Sequence, residues 1–152
     1  MVIVGDGSER TWLKANLRHA EFRGALQGLE LAHAFADMDV FVFPSKTDTF
    51  GLVILEAMAS GVPVIVAPGG GPQYQVQSGQ AGFVAKSQAD FAERILELKD
   101  DPSLRARMSQ AARQTACTAP WDSVFLSVNE IYDEALHWDI EVEQFDQPRS
   151  IH

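Results

Sequence analysis

The residues best placed to do chemistry lie in a polar loop, residues 44–51, which follows an apolar run and precedes a stretch of good helix formers. Gly51 has no side chain, so a ligand can approach the first amides of the helix predicted after it. Those amides have no partner within a helix and carry a partial positive charge, which suits a phosphate group. The loop therefore predicts a phosphate-binding turn, and an ordinary strand-to-helix connection remains open as the alternative.

Two carboxylates, Asp48 and Glu56, bracket the start of this helix. Asp48 stands at its mouth, where a negative charge interacts well with the helix dipole. Glu56 has Leu52, Val53 and Ala59 as helical neighbours, so its charge lies beside apolar positions and should have a partner or face a cleft. A ligand hydroxyl would serve as that partner. The plainer interpretations are a glutamate that reaches solvent or pairs within the fold, and a simple N-terminal acidic residue at Asp48.

The elements that would hold this loop alternate between strands and helices. Short β-branched or aromatic runs predict strands, with helical spacing of apolar residues between them, near residues 2–4, 20–23, 40–43, 63–67 and 82–85. The first run predicts a buried strand, and the uninterrupted run at 40–43 predicts a strand covered on both faces. This alternation indicates an α/β fold with a Rossmann-like, doubly wound, mainly parallel sheet, whose ligands bind at the carboxyl ends of the strands.

The second half of the chain is mostly helical. Ser87 with Asp90 matches a capping box, and Asp101 followed by Pro102 is typical of an N-cap and a first helical residue. A long amphipathic pattern covers residues 121–138. The sequence therefore predicts one domain over residues 1–138 and an acidic, weakly patterned tail over residues 139–152, which we expect to be mobile.

The composition excludes several classes of protein. The chain has 152 residues, of which 46% are hydrophobic and 22% charged, as in a single globular domain. Its net charge of −9 argues against binding to nucleic acid or to an anionic membrane surface. Cys117 is the single cysteine and the four histidines are scattered, so neither an internal disulfide nor a metal site is predicted. No signal-peptide or transmembrane pattern is visible, and we expect a cytoplasmic location.

The order of the motifs resembles the retaining glycosyltransferases of family four, which have the two-domain GT-B fold. The resemblance covers residues 2–136 and is carried by residues 2–7, 22–24, 39–45, 48–65, 69–72 and 79–84. It implies the C-terminal, donor-binding half of an enzyme that transfers a sugar to an acceptor hydroxyl. The donor would be a nucleotide-diphosphate sugar (a UDP-, GDP- or ADP-sugar), and neither a metal ion nor another cofactor is implied.

The resemblance also implies roles for individual residues. The family's two glutamates separated by seven residues fall on Asp48 and Glu56, which would be catalytic: Asp48 would face the donor sugar, and Glu56 would hold the ribose hydroxyls. Backbone amides around Phe50, Gly51 and Leu52 would cradle the diphosphate. The full set of donor-binding positions that the resemblance implies is Gly24, Leu26, Ser45, Thr49, Phe50, Gly51, Leu52 and Glu56, of which the first two would lie near the base.

The chain departs from the family pattern in three ways. Asp48 stands where the family usually has Glu, which keeps the charge but shortens its reach by one methylene. Tyr74 occupies a position after the glycine-rich loop where Glu is common. Family members also have an acceptor domain before this region and a first strand whose loop carries an Arg and a Lys that grip the diphosphate, whereas Met1 falls at the family's second strand. We therefore expect a separate N-terminal acceptor domain as partner in a full-length enzyme.

The sequence leaves three other interpretations to compare with this one. A truncated, non-catalytic nucleotide-binding module, or one half of a split enzyme, is the alternative to a piece of an active transferase. A dinucleotide-binding oxidoreductase is disfavoured, because Arg10 takes the place of the third glycine after Gly5 and Gly7. The sequence Asp37-Met38-Asp39 looks like a metal-binding Asp-x-Asp, but it lies where a helix is predicted to pass into a strand, which favours a simple connection.

The strand absent from the family pattern would be central, between the strands at residues 2–4 and 40–43. Sheet edges left without it seek partners. The two flanking strands can pair directly, a segment such as residues 140–145 can fill the gap, or a second copy can supply a strand. We predict direct pairing, with a shift of the helices by about one strand spacing, ~4.8 Å.

Overall fold

The computed structural model describes residues 1–118, 126 and 129–134. Met1–Thr118 form one compact unit, and Ala119–His152 form a second. In the second unit the described residues are helical, in agreement with the amphipathic pattern predicted there. The predicted domain boundary at residue 138 and the predicted mobile tail, residues 139–152, lie outside the described residues.

The first unit has the predicted α/β architecture, in which strands alternate with helices. The elements in chain order are β1 (Val2–Val4), α1 (Arg10–Asn16), β2 (Glu21–Gly24), α2 (Gly28–Ala36), β3 (Phe41–Phe43), α3 (Leu52–Ala59), β4 (Val64–Val66), α4 (Pro72–Gln75), β5 (Gly82–Val84), α5 (Gln88–Asp100) and α6 (Pro102–Cys117). Helix α4 was not predicted. It is a single turn that begins at Pro72, a residue suited to the first helical position because no N–H is needed there.

The strands pair in parallel and fall into two sheets. In the first, β4 lies between β3 and β5, with Phe41 level with Val64 and Val64 level with Gly82. In the second, β1 pairs with β2, and the register shifts between Ile3 and Val4. The helices that connect these parallel strands are the crossovers that parallel pairing requires.

The predicted direct pairing of residues 2–4 with residues 40–43 is wrong. Within the described part of the chain, β1 bonds to β2 and β3 bonds to β4, with no ladder between β1 and β3. Direct pairing would require α2 and α3 to shift, but Phe35 and Ile54 on these helices are at most 3% exposed in a core shared with β4. Close packing of this kind resists a shift of a whole strand spacing. The alternative segment, residues 140–145, lies outside the described residues.

The hydrophobic core covers both faces of β4, all of which is buried. On one face, Phe35 of α2 and Met58 of α3 belong to the same cluster as Val64. On the other face, Ile65 packs in a cluster with Leu98 of α5 and Met108 of α6. A strand covered on both faces needs a continuous apolar run, which residues 63–67 supply.

Strands β1 and β3 are less covered than predicted. Val42 of β3 is 38% exposed, so the expectation that residues 40–43 are covered on both faces is wrong. Val2 of β1 is 43% exposed, and no residue before Ala34 is buried, so the expectation of a buried strand at residues 2–4 is also wrong. Within the sheets that residues 1–118 form, each of these strands is an edge strand, so fewer elements cover its apolar side chains.

The predicted caps of α5 and α6 are confirmed. The Ser87 hydroxyl accepts the Asp90 N–H at 3.1 Å, and the Asp90 carboxylate accepts the Lys86 N–H at 2.8 Å, one residue earlier than in the usual capping box. The Asp101 carboxylate accepts the Leu104 N–H at 2.8 Å. These bonds satisfy amides that the first turn of each helix leaves unpaired.

Helix α6 is tied to the carboxyl end of α3. The Ser109 hydroxyl donates to the Gly61 carbonyl at 2.6 Å, and the Arg113 guanidinium donates to the Ala59 carbonyl at 2.9 Å. Ala59 is the last residue of α3, where a helix leaves its carbonyls unpaired and carries partial negative charge, so a cation such as Arg113 is favourable there. The far end of the helix that follows the polar loop is therefore held in place.

Candidate functional site

The candidate site lies at the carboxyl ends of β3 and β4, the edge at which parallel sheets bind ligands. The β3 loop, residues 44–51, connects β3 to α3 and contains most of the predicted site residues. The β4 loop, residues 67–71, connects β4 to α4. Because β3 and β4 are hydrogen-bonded neighbours, the two loops leave the sheet side by side.

The backbones of the two loops are in direct contact. The Gly71 N–H donates to the Asp48 carbonyl at 3.0 Å. A Cβ atom on Gly70 would lie 2.2 Å from the Asp48 carbonyl oxygen, and one on Gly71 would lie 2.2 Å from that of Thr49. These distances are far below van der Waals contact, so the glycines are needed for the two loops to meet.

Gly51 ends the β3 loop in the left-handed conformation, with φ of 81° and ψ of 48°. A side chain would be strained there, and a Cβ atom would lie 2.9 Å from Cγ of Pro72. Within residues 1–118, the amides of Gly51, Leu52 and Val53 donate to no acceptor. Unpaired amides at the start of a helix are the feature that binds an anion.

The Asp48 carboxylate is engaged within its own loop. Its Oδ1 accepts the Phe50 N–H at 3.0 Å, which closes an Asx turn. Of the amides expected to cradle a diphosphate, that of Phe50 is therefore occupied, whereas those of Gly51 and Leu52 have no acceptor among the described residues. The expected role of Asp48 opposite a donor sugar stays a prediction.

Glu56 lies one turn into α3 and is exposed. Its carboxylate has no hydrogen-bond or ion-pair partner among the described residues. Leu52, one turn earlier on the same side of the helix, is 53% exposed. The plainer interpretation of a glutamate paired within the fold therefore has no support in the described residues. A glutamate that reaches solvent and a glutamate that binds a ligand both fit this position.

The structure brings most of the predicted residues into one loop and places two of them elsewhere. Gly24 is the last residue of β2, in the separate two-stranded sheet, and Leu26 lies two residues after it. The Arg10 guanidinium lies 3.9 Å from the position of a Cβ on Gly24. The residues that the β3 loop and the first turn of α3 bring together are Ser45, Asp48, Thr49, Phe50, Gly51 and Leu52, with Glu56 one turn further on.

Two residues near the site were not singled out by the sequence. Gln75, the last residue of α4, donates from Nε2 to the Phe50 carbonyl, a contact across 25 positions that no local pattern predicts. Lys46 lies exposed in the β3 loop and forms no ion pair with any described residue. The signal that would have found Lys46 is a basic residue inside a loop predicted to bind phosphate.

The described residues meet neither the requirements of a metal site nor those of a membrane span. Across residues 1–118, 126 and 129–134, no group of three or more His, Cys, Asp or Glu side chains is arranged to hold a metal ion. No helix formed by these residues has the length and apolar character that a membrane span requires.

In the described unit, a loop that ends in a left-handed glycine and is followed by unpaired helix amides lies at the carboxyl ends of parallel strands. This arrangement is typical of the class of α/β domains that bind ligands at this edge of the sheet. Within that class, the family model of glycosyl transferases group 1 matches residues 1–115. The chain belongs to this family.

Two curated relatives are GDP-mannose-dependent alpha-mannosyltransferases. The protein from Mycolicibacterium smegmatis is 49% identical over 84 residues, which are 55% of this chain and 22% of the relative. The protein from Mycobacterium tuberculosis is 37% identical over 127 residues, which are 82% of this chain and 33% of the relative. The chain thus spans no more than a third of either relative.

Among solved structures, the sucrose-phosphate synthase from Thermosynechococcus elongatus has a TM-score of 0.76 and 26% sequence identity. The match covers 89% of this chain and 38% of that chain. The α/β fold of the described unit is therefore that of a glycosyltransferase of this kind, and again it corresponds to part of a longer protein.

Proposed function

We propose that this chain is the donor-binding half of a retaining glycosyltransferase, which binds a nucleotide-diphosphate sugar and transfers the sugar to an acceptor hydroxyl. The observation that supports this most directly is the set of free amides after Gly51, in a chain that belongs to a glycosyltransferase family. The proposal includes no metal ion and no other cofactor, and it places the protein in the cytoplasm.

In this proposal the diphosphate lies at the amino end of α3. The amides of Gly51, Leu52 and Val53 donate to its oxygens, and the helix dipole favours its charge. Lys46, in the same loop and without an ion-pair partner among the described residues, supplies a cation. A local device of this kind is needed because the chain as a whole carries a net charge of −9, which repels anions.

Glu56 holds the ribose of the nucleotide. Its exposed carboxylate lies one turn beyond the proposed diphosphate, and an ionised carboxylate accepts hydrogen bonds from two neighbouring hydroxyls. Asp48 faces the donor sugar through the part of its carboxylate that the Phe50 amide leaves free. Gly24 and Leu26 contact the base.

The donor is a GDP-sugar, with GDP-mannose as the first candidate to test. The support is that both relatives described above are named as GDP-mannose-dependent enzymes. The acceptor is not identified by any feature of the described residues.

The chemistry is a displacement at the anomeric carbon on the same face as the leaving group. The bond from that carbon to the diphosphate oxygen breaks, the bond to the acceptor oxygen forms, and the acceptor proton passes to the leaving phosphate. The protein contributes orientation of the sugar and stabilisation of the charge that develops on the diphosphate.

The partner of this half is an N-terminal acceptor domain in a full-length enzyme. Both relatives are at least three times as long as the segment matched. The strands β1 and β3 are also edges of separate sheets with exposed Val2 and Val42, which a strand inserted between them would cover.

Calorimetric titration of this chain with GDP-mannose, GDP and UDP tests the proposal. We expect Kd values near the millimolar range, because two charge-assisted hydrogen bonds from the family's Arg and Lys, worth roughly 1.5–3 kcal/mol each, are missing. Labelled donor should show no transfer with the chain alone. Robust transfer by the chain alone contradicts the half-enzyme proposal, and absence of any nucleotide binding contradicts the donor site.

Glu56→Gln separates a ribose contact from a structural role. The amide keeps the shape of the side chain, so the Tm without ligand should stay unchanged while the affinity for GDP falls about tenfold. The matched control is Glu93→Gln, another exposed glutamate on a helix, which should change neither quantity. A lower Tm with unchanged GDP affinity would rule out the ribose contact.

A further inference from the structure

We propose that Gln75 is a positioning residue, which orients the peptide between Phe50 and Gly51 so that the amides at the start of α3 are presented to a diphosphate. The inference rests on the proposed donor site and adds to it a residue outside the β3 loop. Nothing in the sequence pattern or in the roles implied by the family resemblance assigns a function to this side chain.

The contact joins the two elements that flank the site. Gln75 is the last residue of α4 and is partly buried, and its Nε2 donates to the Phe50 carbonyl. Its Oε1 is buried and has no hydrogen-bond partner among the described residues. An unpaired buried acceptor is costly, and the hydrogen bond from Nε2 offsets part of that cost.

The geometry of the peptide bond transmits this contact to the site. The Phe50–Gly51 peptide is trans and planar, so its carbonyl and its N–H point in opposite directions. A donor that holds the Phe50 carbonyl therefore also sets the direction of the Gly51 N–H. That amide donates to no acceptor within residues 1–118 although Gly51 is buried, and in this proposal an oxygen of the ligand is its partner.

The other contacts around this peptide leave one motion open, which Gln75 restrains. Asp48 holds the Phe50 N–H, and Pro72 lies against Gly51, so the two ends of the segment are fixed. Rotation of the peptide plane between them needs only paired changes in ψ of Phe50 and φ of Gly51. Glycine makes such a rotation easy, because it populates both signs of φ.

The test uses Gln75→Met, which keeps the length of the side chain and removes the donor, with Gln77→Met as a matched control. Gln77 is exposed, two residues further along, and its side chain makes no hydrogen bond with the described residues. The probe is inorganic pyrophosphate, which contains the diphosphate without base, ribose or sugar. Amide chemical shifts and hydrogen exchange are recorded by NMR, together with the pyrophosphate Kd and the Tm.

In Gln75→Met we expect the Gly51 and Leu52 amide signals to move and to exchange faster, while amides of β4 keep their wild-type rates. The pyrophosphate Kd should rise about two- to tenfold, the change expected for one neutral hydrogen bond. Gln77→Met should match the wild type in every measurement. An unchanged Gly51 signal overturns the proposal, and so does faster exchange throughout the unit, which would show a purely structural contact.

The outcomes for Gln75 and for the donor site are separable. Absence of pyrophosphate binding by the wild-type protein contradicts the donor site. In that case the NMR signal of Gly51 still decides whether Gln75 orients the peptide. Binding by the wild type with equal affinity in Gln75→Met supports the donor site and overturns the role of Gln75.

Discussion

The segment before Ala34 and the segment from Ala34 to Thr118 are built from the same kind of element and differ in what surrounds them. Both alternate parallel strands with helices. The first segment contains no buried residue, whereas the second holds the whole buried core of residues 1–118, on both faces of β4. A β-branched strand thus becomes a core strand only where other elements cover it, and β1 and β4, both Val-Ile-Val, show the two outcomes.

The largest expected effect comes from truncating the same residue type in each segment. Ile54→Ala removes a fully buried side chain from the core and should cost about 2–5 kcal/mol of unfolding free energy. Ile3→Ala in β1 should cost less than about 1.5 kcal/mol, because Ile3 is only partly buried. Urea unfolding followed by circular dichroism measures both. Equal costs would show that β1 is packed as tightly as α3, contrary to the comparison.

The second largest expected effect on stability comes from replacing by alanine each of two glycines that have the left-handed conformation. Gly70 has φ of 64° and Gly28 has φ of 55°, so an alanine pays about 1–2 kcal/mol of backbone strain at either position. Nothing lies within 4 Å of a Cβ on Gly28, whereas a Cβ on Gly70 would lie 2.2 Å from the Asp48 carbonyl. Gly70→Ala should therefore cost about 2 kcal/mol more than Gly28→Ala in urea unfolding. It should also weaken pyrophosphate binding, which Gly28→Ala should leave unchanged.

The smallest expected effect on stability concerns two ion pairs, Asp90 with Arg94 and Asp6 with Arg10, whose partners are four residues apart. The pKa of Asp90 is lowered, chiefly because its carboxylate accepts the Lys86 N–H, and further because Arg94 is bonded to it. A folded pKa below the unfolded value gives stability that is complete above about pH 4 and is lost as the pH falls through the folded value. The Tm of Asp90→Asn should therefore lie below that of the wild type at pH 7, and the two should converge at lower pH.

The pair between Asp6 and Arg10 in the first segment is the control for this measurement. It has the same spacing and joins the exposed Asp6 to a partly exposed Arg10, and pairs near the surface contribute little. Asp6→Asn should thus lower the Tm less than Asp90→Asn at pH 7. A Tm difference for Asp90→Asn that does not change with pH would contradict the role of its ionised carboxylate.

Local patterns predicted the elements well because the forces behind them are local. The apolar runs of β3 and β4, the caps at Ser87 and Asp101 and the glycine before α3 each depend on a few neighbouring residues. Burial was predicted less well. The runs at residues 2–4 and 40–43 were expected to be covered, but an apolar pattern shows which side chains suit a core and not whether a neighbouring element exists to cover them.

In the candidate site, too, features that depend on neighbouring residues could be predicted, whereas contacts between distant segments could not. The loop, its glycine hinge and the unpaired amides after it follow from the sequence around residues 44–53. The engagement of the Phe50 amide by Asp48 is also local, but competing turns with the same residues are possible, so the sequence does not select it. The contact of Gln75 with Phe50 joins segments brought together by the pairing of β3 with β4 and by the bond between Gly71 and Asp48, and such a contact has no local signature.

The anchoring of α3 by Ser109 and Arg113 has a mechanical consequence. The bonds from Ser109 and Arg113 to Gly61 and Ala59 oppose displacement of the carboxyl end of α3 away from α6. A ligand bound at the amino end of α3 therefore contacts a helix whose other end is anchored to α6. The backbone of the β3 loop is also bonded, through Gly71 to the Asp48 carbonyl and through the Asp48 carboxylate to Phe50, so adjustment to ligands of different size falls on exposed side chains such as that of Lys46.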